Sequence, residues 1–243
     1  MSSSLSHSNS VVMNREQIAQ LQTPAPMGRF HKPIPHIEII DTILRVFDEN
    51  RLDVVTSKFA VNEKTADIFG TFDLQGETVL DRPDLTTSLG FRSNNMQKRP
   101  VAFVAGARVF VCDNLMFFGD FEVLKHKHTI HFNLLTQIRD GIEKFLDQAF
   151  VNTAEVDRLK SREISDVEAK TFVFDTFAEK VFPVKCFDDV VAEYWAETPR
   201  HESFAARTAW SLVNSFTEVA KTLRVNPRTE ALSGLGRRQK TLL

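Results

Sequence analysis

From Val101 the chain reads VAFVAGARVFVC, which fits few places in a fold. In a strand, successive side chains alternate, so Val101, Phe103, Val109 and Val111 face one way and Val104 and Phe110 the other. Only Arg108 breaks the second face. A strand apolar on both sides has to be covered on both faces, which predicts a mid-sheet position between two layers. The stretch TTSLGFRS precedes it, separated by NNMQKR, whose paired asparagines suit a turn that tolerates positive φ. The two strands are therefore expected to form a hairpin. Asp113 and Asn114 follow Cys112, and their short polar side chains can bond the local backbone and end the strand.

The rest of the chain falls into two halves. Ile37, Ile40, Leu44 and Phe47 repeat at helical spacing from His36, with Glu38 and Asp41 in the early turns where the helix dipole favours them. LDVVTSKFAV and TADIFGTFDLQG read as strands, and ETVLDRPDL as a loop, since Pro83 withholds a ladder donor. From Ile130 the period changes: Leu134, Leu135, Ile138, Ile142, Phe145, Leu146 and Ala149 make one apolar stripe. A short helix and then another are expected across residues 153–182, the second opened by the capping box Ser165–Glu168 and ended by Pro183. FDDVVAEYWAE is helical, as is SFAARTAWSLVNSFTEVAKTL, with Ala209, Leu212, Val213, Phe216, Ala220 and Leu223 inward and Arg207, Ser211, Asn214, Glu218 and Lys221 on its polar face. Strands first and helices second predict an α+β fold: an antiparallel sheet with a central hairpin, packed against long helices. Residues 36–225 are expected as one domain. The Ser- and Pro-bearing residues 1–35 are expected as a disordered arm, and 226–243 as a basic tail.

Composition excludes some functions. A net charge of −2 and a pI near 6.4 rule out a globally basic nucleic-acid binder but leave room for a local basic stripe. With 21 Phe against one Tyr and two Trp, the aromatic content is core-type. Cys112 and Cys186 are too few for a disulfide framework, and reduced thiols in a cytoplasm are expected. No apolar run reaches the roughly 18 residues of a membrane span, and the first residues lack the pattern of a signal peptide. A Walker A loop, a G-x-G-x-x-G and a G-x-S-x-G are all missing.

Three constellations carry possible chemistry. His126, His128 and His131, completed by Asp113 or Asp120, have the residue types of a zinc site, although a basic strand end with histidines in solvent explains them as well. Cys112 with His126 or His128 would make a nucleophile and base, but a cysteine ending an apolar strand is more simply a small hydrophobe. Arg92, Lys98 and Arg99 flank the hairpin turn, Arg108 sits on the long strand, and Lys125 and Lys127 follow the next one. Gathered on one surface these cations would make a phosphate-binding groove, and scattered they would be ordinary solubilising charge.

The stretches LGFRSNN, AFVAGARVFVCDNLMFFGDF and KHKHT, with the late ARTAWSLVNSFTEVAKTL, together resemble the phage- and plasmid-associated domain-of-unknown-function family number 932. The resemblance runs from about Ala66 to Leu223. Arg207 and Ser215 stand where the family commonly has glycine and alanine. By position the pattern marks Arg92, Ser93, Arg108, Cys112, Asn114, His128, Thr129, Thr208, Trp210, Asn214, Thr217 and Glu218. It implies a mobile-element context and no particular reaction. A sheet hairpin followed by long helices in such a protein is similar, at fold level, to single-strand annealing proteins of recombination.

The expected activity is therefore binding of single-stranded nucleic acid in DNA recombination or replication, without catalysis or cofactor, by a homo-oligomer. The groove would comprise Arg92, Lys98, Arg99, Arg108, Asn114, Lys125, Lys127 and His128 from the sheet, with Arg207, Asn214 and Lys221 as its helical wall. The alternatives are a metal-dependent enzyme acting on nucleic acid through the three histidines, and a non-catalytic scaffold of a mobile element.

Overall fold

A computed structural model describes residues 10–64, 66–76, 85–97, 99–109, 114–117, 124–200, 204–223 and 225–243. Its centre is one antiparallel sheet of seven strands, β1 (Val11–Met13), β2 (Leu52–Asn62), β3 (Asp67–Gly76), β4 (Leu85–Asn94), β5 (Val101–Val109), β6 (Asn114–Phe117) and β7 (Leu124–His126). The first five lie side by side in chain order. β6 and β7 then share the outer edge of β5, β6 along Gly106 to Val109 and β7 along Val101 to Phe103. The expected hairpin is β4–β5, paired from Leu85↔Val109 to Arg92↔Ala102. β5 lies inside the sheet, paired on both edges, but its outer neighbours are two short strands laid end to end.

The sheet separates two cores, and alternation along the strands feeds both. Val101, Phe103 and Ala105 enter one with Phe59, Phe72, Leu89 and Phe91, under α1 (Arg15–Ala19) and α2 (His36–Glu49). Ala102 and Val104 enter the other with Ala60 and Phe69. There they meet α4 (Asp166–Ala178), α5 (Phe187–Tyr194), α6 (Ala209–Ala220) and α7 (Val225–Arg238). The 28-residue α3 (Leu134–Ser161), about 42 Å long at 1.5 Å per residue, serves both. Ile138, Ile142 and Phe145 from its first half belong to the first core, and Val156 and Leu159 from its second half to the other. A break was expected near residue 153, but nothing between Ala149 and Arg162 is glycine or proline, so the helix runs on. Gly141 lets it approach the sheet: a Cβ there would stand 3.1 Å from Leu124 Cβ and 3.2 Å from the Phe103 ring.

Local signals in the sequence mark several boundaries. Ser165 accepts from the Glu168 amide while Glu168 reaches back to the Ser165 amide, the expected capping box of α4. Ser165→Ala should cost about 1 kcal/mol in chemical denaturation, and a value near zero would mean the box is incidental. α4 ends at Ala178, before Pro183, with Lys180 at φ 58°.

Both termini differ from expectation. Residues 10–35, expected within a disordered arm, are largely exposed but anchored at several points. β1 pairs with β2 through Val11↔Val61 and Met13↔Phe59, Asn14 and Gln17 form a capping box on α1, and Ile18 is buried. The proline-bearing stretch is also held: Asn95 accepts from the Ile34 amide at 3.0 Å and donates to its carbonyl at 2.8 Å. Residues 226–243 are no loose tail either, since Leu232, Leu235 and Leu242 are buried and Arg238 bridges Asp175 and Glu179. Among the described residues no helix is long and apolar enough to cross a membrane.

Candidate nucleic-acid interface

The β4–β5 hairpin fixes the first cation by register. Arg92 lies opposite Ala102, and Ala102 lies opposite Lys125, so Arg92, Ala102 and Lys125 form one row on the sheet face that packs against α4 to α7. Strands stand about 4.8 Å apart, which puts the Arg92 and Lys125 backbones roughly 10 Å from each other. Arg92 is half-buried, Lys125 exposed. Burial pulls the Arg92 guanidinium below the ordinary arginine value, the charge of Arg99 pulls it further, and Glu230 opposes both. Arg99 approaches Glu230 of α7 at 3.8 Å, and that glutamate side chain is 69 % exposed. Two guanidinium groups are thus held within mutual electrostatic reach at the end of the sheet, sharing one solvent-facing carboxylate.

The turn that sets this geometry does not use its asparagines as expected. Asn94 donates to Asp67 at 2.6 Å and accepts from the Met96 amide at 2.8 Å, Asn95 is engaged with Ile34, and the positive φ of 60° falls on Gln97. The asparagines tie the turn to β3 and to the N-terminal segment. Lys98, Cys112, Asp113 and Asp120 lie outside the described residues, as do the side chains of Arg108 and Asn114. The backbones of those last two are placed by the pairs Arg108↔Leu115 and Val109↔Asn114.

Other expected members of the groove go elsewhere. Lys127 is exposed, but His128 is buried and its Nε2 lies 2.9 Å from Ser93 Oγ, on the α2 side. His126 stacks on Phe132 with ring centroids 4.5 Å apart, and His131 is exposed. The three histidines therefore do not converge, and among the described residues no group of three histidine, cysteine, aspartate or glutamate side chains is placed to hold a metal. Burial raises the Cys186 thiol above its ordinary value. The proposed helical wall is also corrected. Asn214 is 1 % exposed and donates to the Trp210 carbonyl at 2.9 Å. Arg207 lies over the Tyr194 ring at 4.8 Å and donates to the Tyr194 carbonyl, while Lys221 pairs with Glu218 at 2.6 Å. Arg207 and Asn214 line a cavity between α5 and α6 whose walls include none of Arg92, Arg99 or Lys125.

Glu230 was not legible in sequence as a partner of the hairpin, because its place depends on α7 folding back over the sheet. Thr208 caps α6 through a reciprocal box with Ser211, and Thr217 donates to the Asn214 carbonyl at 2.9 Å, so part of the late-helix pattern is architectural. No curated protein and no solved structure matches the chain significantly. Residues 101–241 match the family described as Domain of unknown function (DUF932). They span β5 to the last helical turn, more than half of the protein, and the chain belongs to that family.

Proposed function

We propose that the protein binds single-stranded nucleic acid, without catalysis, through the basic row at the hairpin end of the sheet, as a homo-oligomer in phage- or plasmid-type recombination or replication. The observation that carries the reading is Arg92, half-buried and already destabilised as a cation by its burial and by Arg99. A phosphate between the two guanidiniums relieves both costs, because arginine forks match phosphate geometry. Lys125 extends the row in register, and Lys127 beyond β7 adds exposed positive charge.

Contacts of this type are sequence-independent and release counterions, so on a single strand log K falls by about 0.7 per neutralised phosphate for each tenfold rise in salt. The test is fluorescence anisotropy with a labelled single-stranded oligonucleotide across a salt series. Wild-type protein should bind, and Arg92→Ala with Arg99→Ala should weaken binding at least ~10-fold and reduce the salt slope by about 1.4. Binding unchanged in the double variant removes the row as the contact surface. An absence of wild-type binding at low salt removes the nucleic-acid reading altogether.

A further inference from the structure

Three large apolar side chains stand in water where the N-terminal segment crosses the chain beyond β7. Met27, Phe30 and Ile130 are 58 %, 57 % and 49 % exposed. The Ile130 amide donates to the Phe30 carbonyl at 3.1 Å, and the Lys32 amide donates to the His128 carbonyl at 3.3 Å. Between these bonds His31 bridges Thr129, so the two segments run antiparallel. The end of the crossing is a fixed turn. The His31 amide closes it onto the Gly28 carbonyl at 3.1 Å, and the buried His31 ring accepts from the Met27 amide at 2.9 Å through Nδ1. Arg29 and Phe30 are the two central residues of that turn, and both are exposed.

Single exposed apolar residues are ordinary, whereas a gathered patch rimmed by charge marks an interaction site. The charge here has one sign. The Arg29 guanidinium lies over the Phe30 ring, 5.4 Å from its centroid, and Lys32 and Lys127 are exposed beside it. Among the described residues no carboxylate pairs with Arg29, Lys32, Lys125 or Lys127, while Arg139, Arg200 and Arg238 elsewhere on the surface are all paired. The patch also continues the basic row. Lys127 follows Lys125 by two residues, about 7 Å of extended chain, and the Lys127 and Ile130 backbones are at most about 11 Å apart.

We infer that the Gly28–His31 turn is a base-stacking platform for single-stranded nucleic acid, with Phe30 against a base and Arg29, Lys32 and Lys127 on the flanking phosphates. The inference rests on the nucleic-acid reading above and adds base contacts to its phosphate contacts. Every base has a π-face, so one ring serves any sequence. The backbone bonds around His31 hold that ring in place before the strand arrives, so stacking costs little further ordering. An anionic membrane would also take apolar groups rimmed by cations. The patch is nevertheless a turn and a crossing segment rather than an amphipathic helix, and its continuity with the Arg92–Lys125 row favours a strand of phosphates.

The test compares two labelled strands of equal length by anisotropy, a mixed-sequence oligonucleotide and an abasic one. Wild-type protein should bind the base-bearing strand about tenfold tighter. Phe30→Ala and Phe30→Leu should each remove that preference, with affinity for the abasic strand and the salt slope unchanged, and Phe30→Trp should keep it. Phe174→Ala, which removes another exposed ring, should alter neither affinity. Equal wild-type affinity for the two strands, or a preference that survives Phe30→Ala, overturns the platform and leaves the cation row standing. A preference retained in Phe30→Leu shows plain apolar contact and overturns stacking. No binding of either strand at low salt removes the nucleic-acid reading itself, and the platform with it. Co-sedimentation with phosphatidylserine vesicles is the last arm: vesicle binding that depends on Phe30, without a preference for bases, assigns the patch to a membrane and overturns the inference.

Discussion

Between pH 6.5 and pH 4 the protein should lose stability steeply, with His36 and His128 responsible. Both are buried, and both are held as neutral imidazoles with pKa values lowered to about 4 from 6.5. Burial is the main cause in each. For His128 the neighbouring His31, His36 and His126 add to it, whereas for His36 the Asp67 carboxylate and a hydrogen bond to the Ala66 backbone work against it. Glu63 is a further acidic group beside His36, on the wall of a cavity shared with the 20–24 segment. Between the two pKa values the unfolded chain binds protons that the folded chain does not, so stability falls as pH falls. The contribution is complete above 6.5, declines through the window and is gone below about 4. Each pKa unit is 1.36 kcal/mol, which gives roughly 3 kcal/mol per histidine at the acid limit. His36 Nδ1 and His128 Nδ1 are buried without a hydrogen-bond partner among the described residues, so a proton gained there meets no acceptor. Urea unfolding at pH 7 and pH 5 measures the effect before the carboxylates titrate. The double variant His36→Leu, His128→Leu should flatten the profile, and equal wild-type stability at both pH values would sink this account.

Phe216→Ala should cost about 3–5 kcal/mol, a large share of the stability of any single domain. Phe216 is fully buried. It meets Phe172 and Phe182 edge-on, with centroids 5.8 Å and 5.3 Å away, and stacks on Phe177 at 5.8 Å. Truncation removes three aromatic contacts at once and leaves a cavity where α4, α6 and the turn before α5 converge. Phe174→Ala is the control, because that ring is 67 % exposed on the outer face of α4 and its loss should stay within about 0.5 kcal/mol. A Phe216 penalty below about 2 kcal/mol would show that the cluster is not close-packed.

These residues also show what a sequence of this kind discloses. The hairpin, the α+β segregation and the inward face of α6 were legible, because apolar periodicity follows from which side of an element must leave water. Position within the sheet was less so: two-sided apolarity demands two covered faces but does not reveal that one edge of β5 is shared by two short strands. Polar positions misled most. Ser211 and Asn214 have the spacing of a solvent face, and only the segment folded over them turns that face into a cavity wall. His128 reads as one of a histidine cluster, whereas burial sets it against Ser93. The N-terminal segment carried a usable signal in Asn14-x-x-Gln17, a capping pattern outweighed by its serines and prolines. The pairing of Arg200 with Glu193 and Glu218 left no trace, since ion pairs across a loop have no characteristic spacing.

The pairing of β4 with β5 makes the matched stretch depend on strands that precede it. The matched stretch begins at Val101, the first residue of β5, so the boundary runs between two hydrogen-bonded strands. A fragment starting there would keep β5 but lose β4 along its inner edge, together with Phe59, Phe72 and Phe91 from the core beneath Phe103. Its bare strand edge and uncovered apolar face would favour pairing with other copies over folding alone. The matched stretch of this protein is thus a dependent half, and the strands that precede it pair its edge and cover its apolar face.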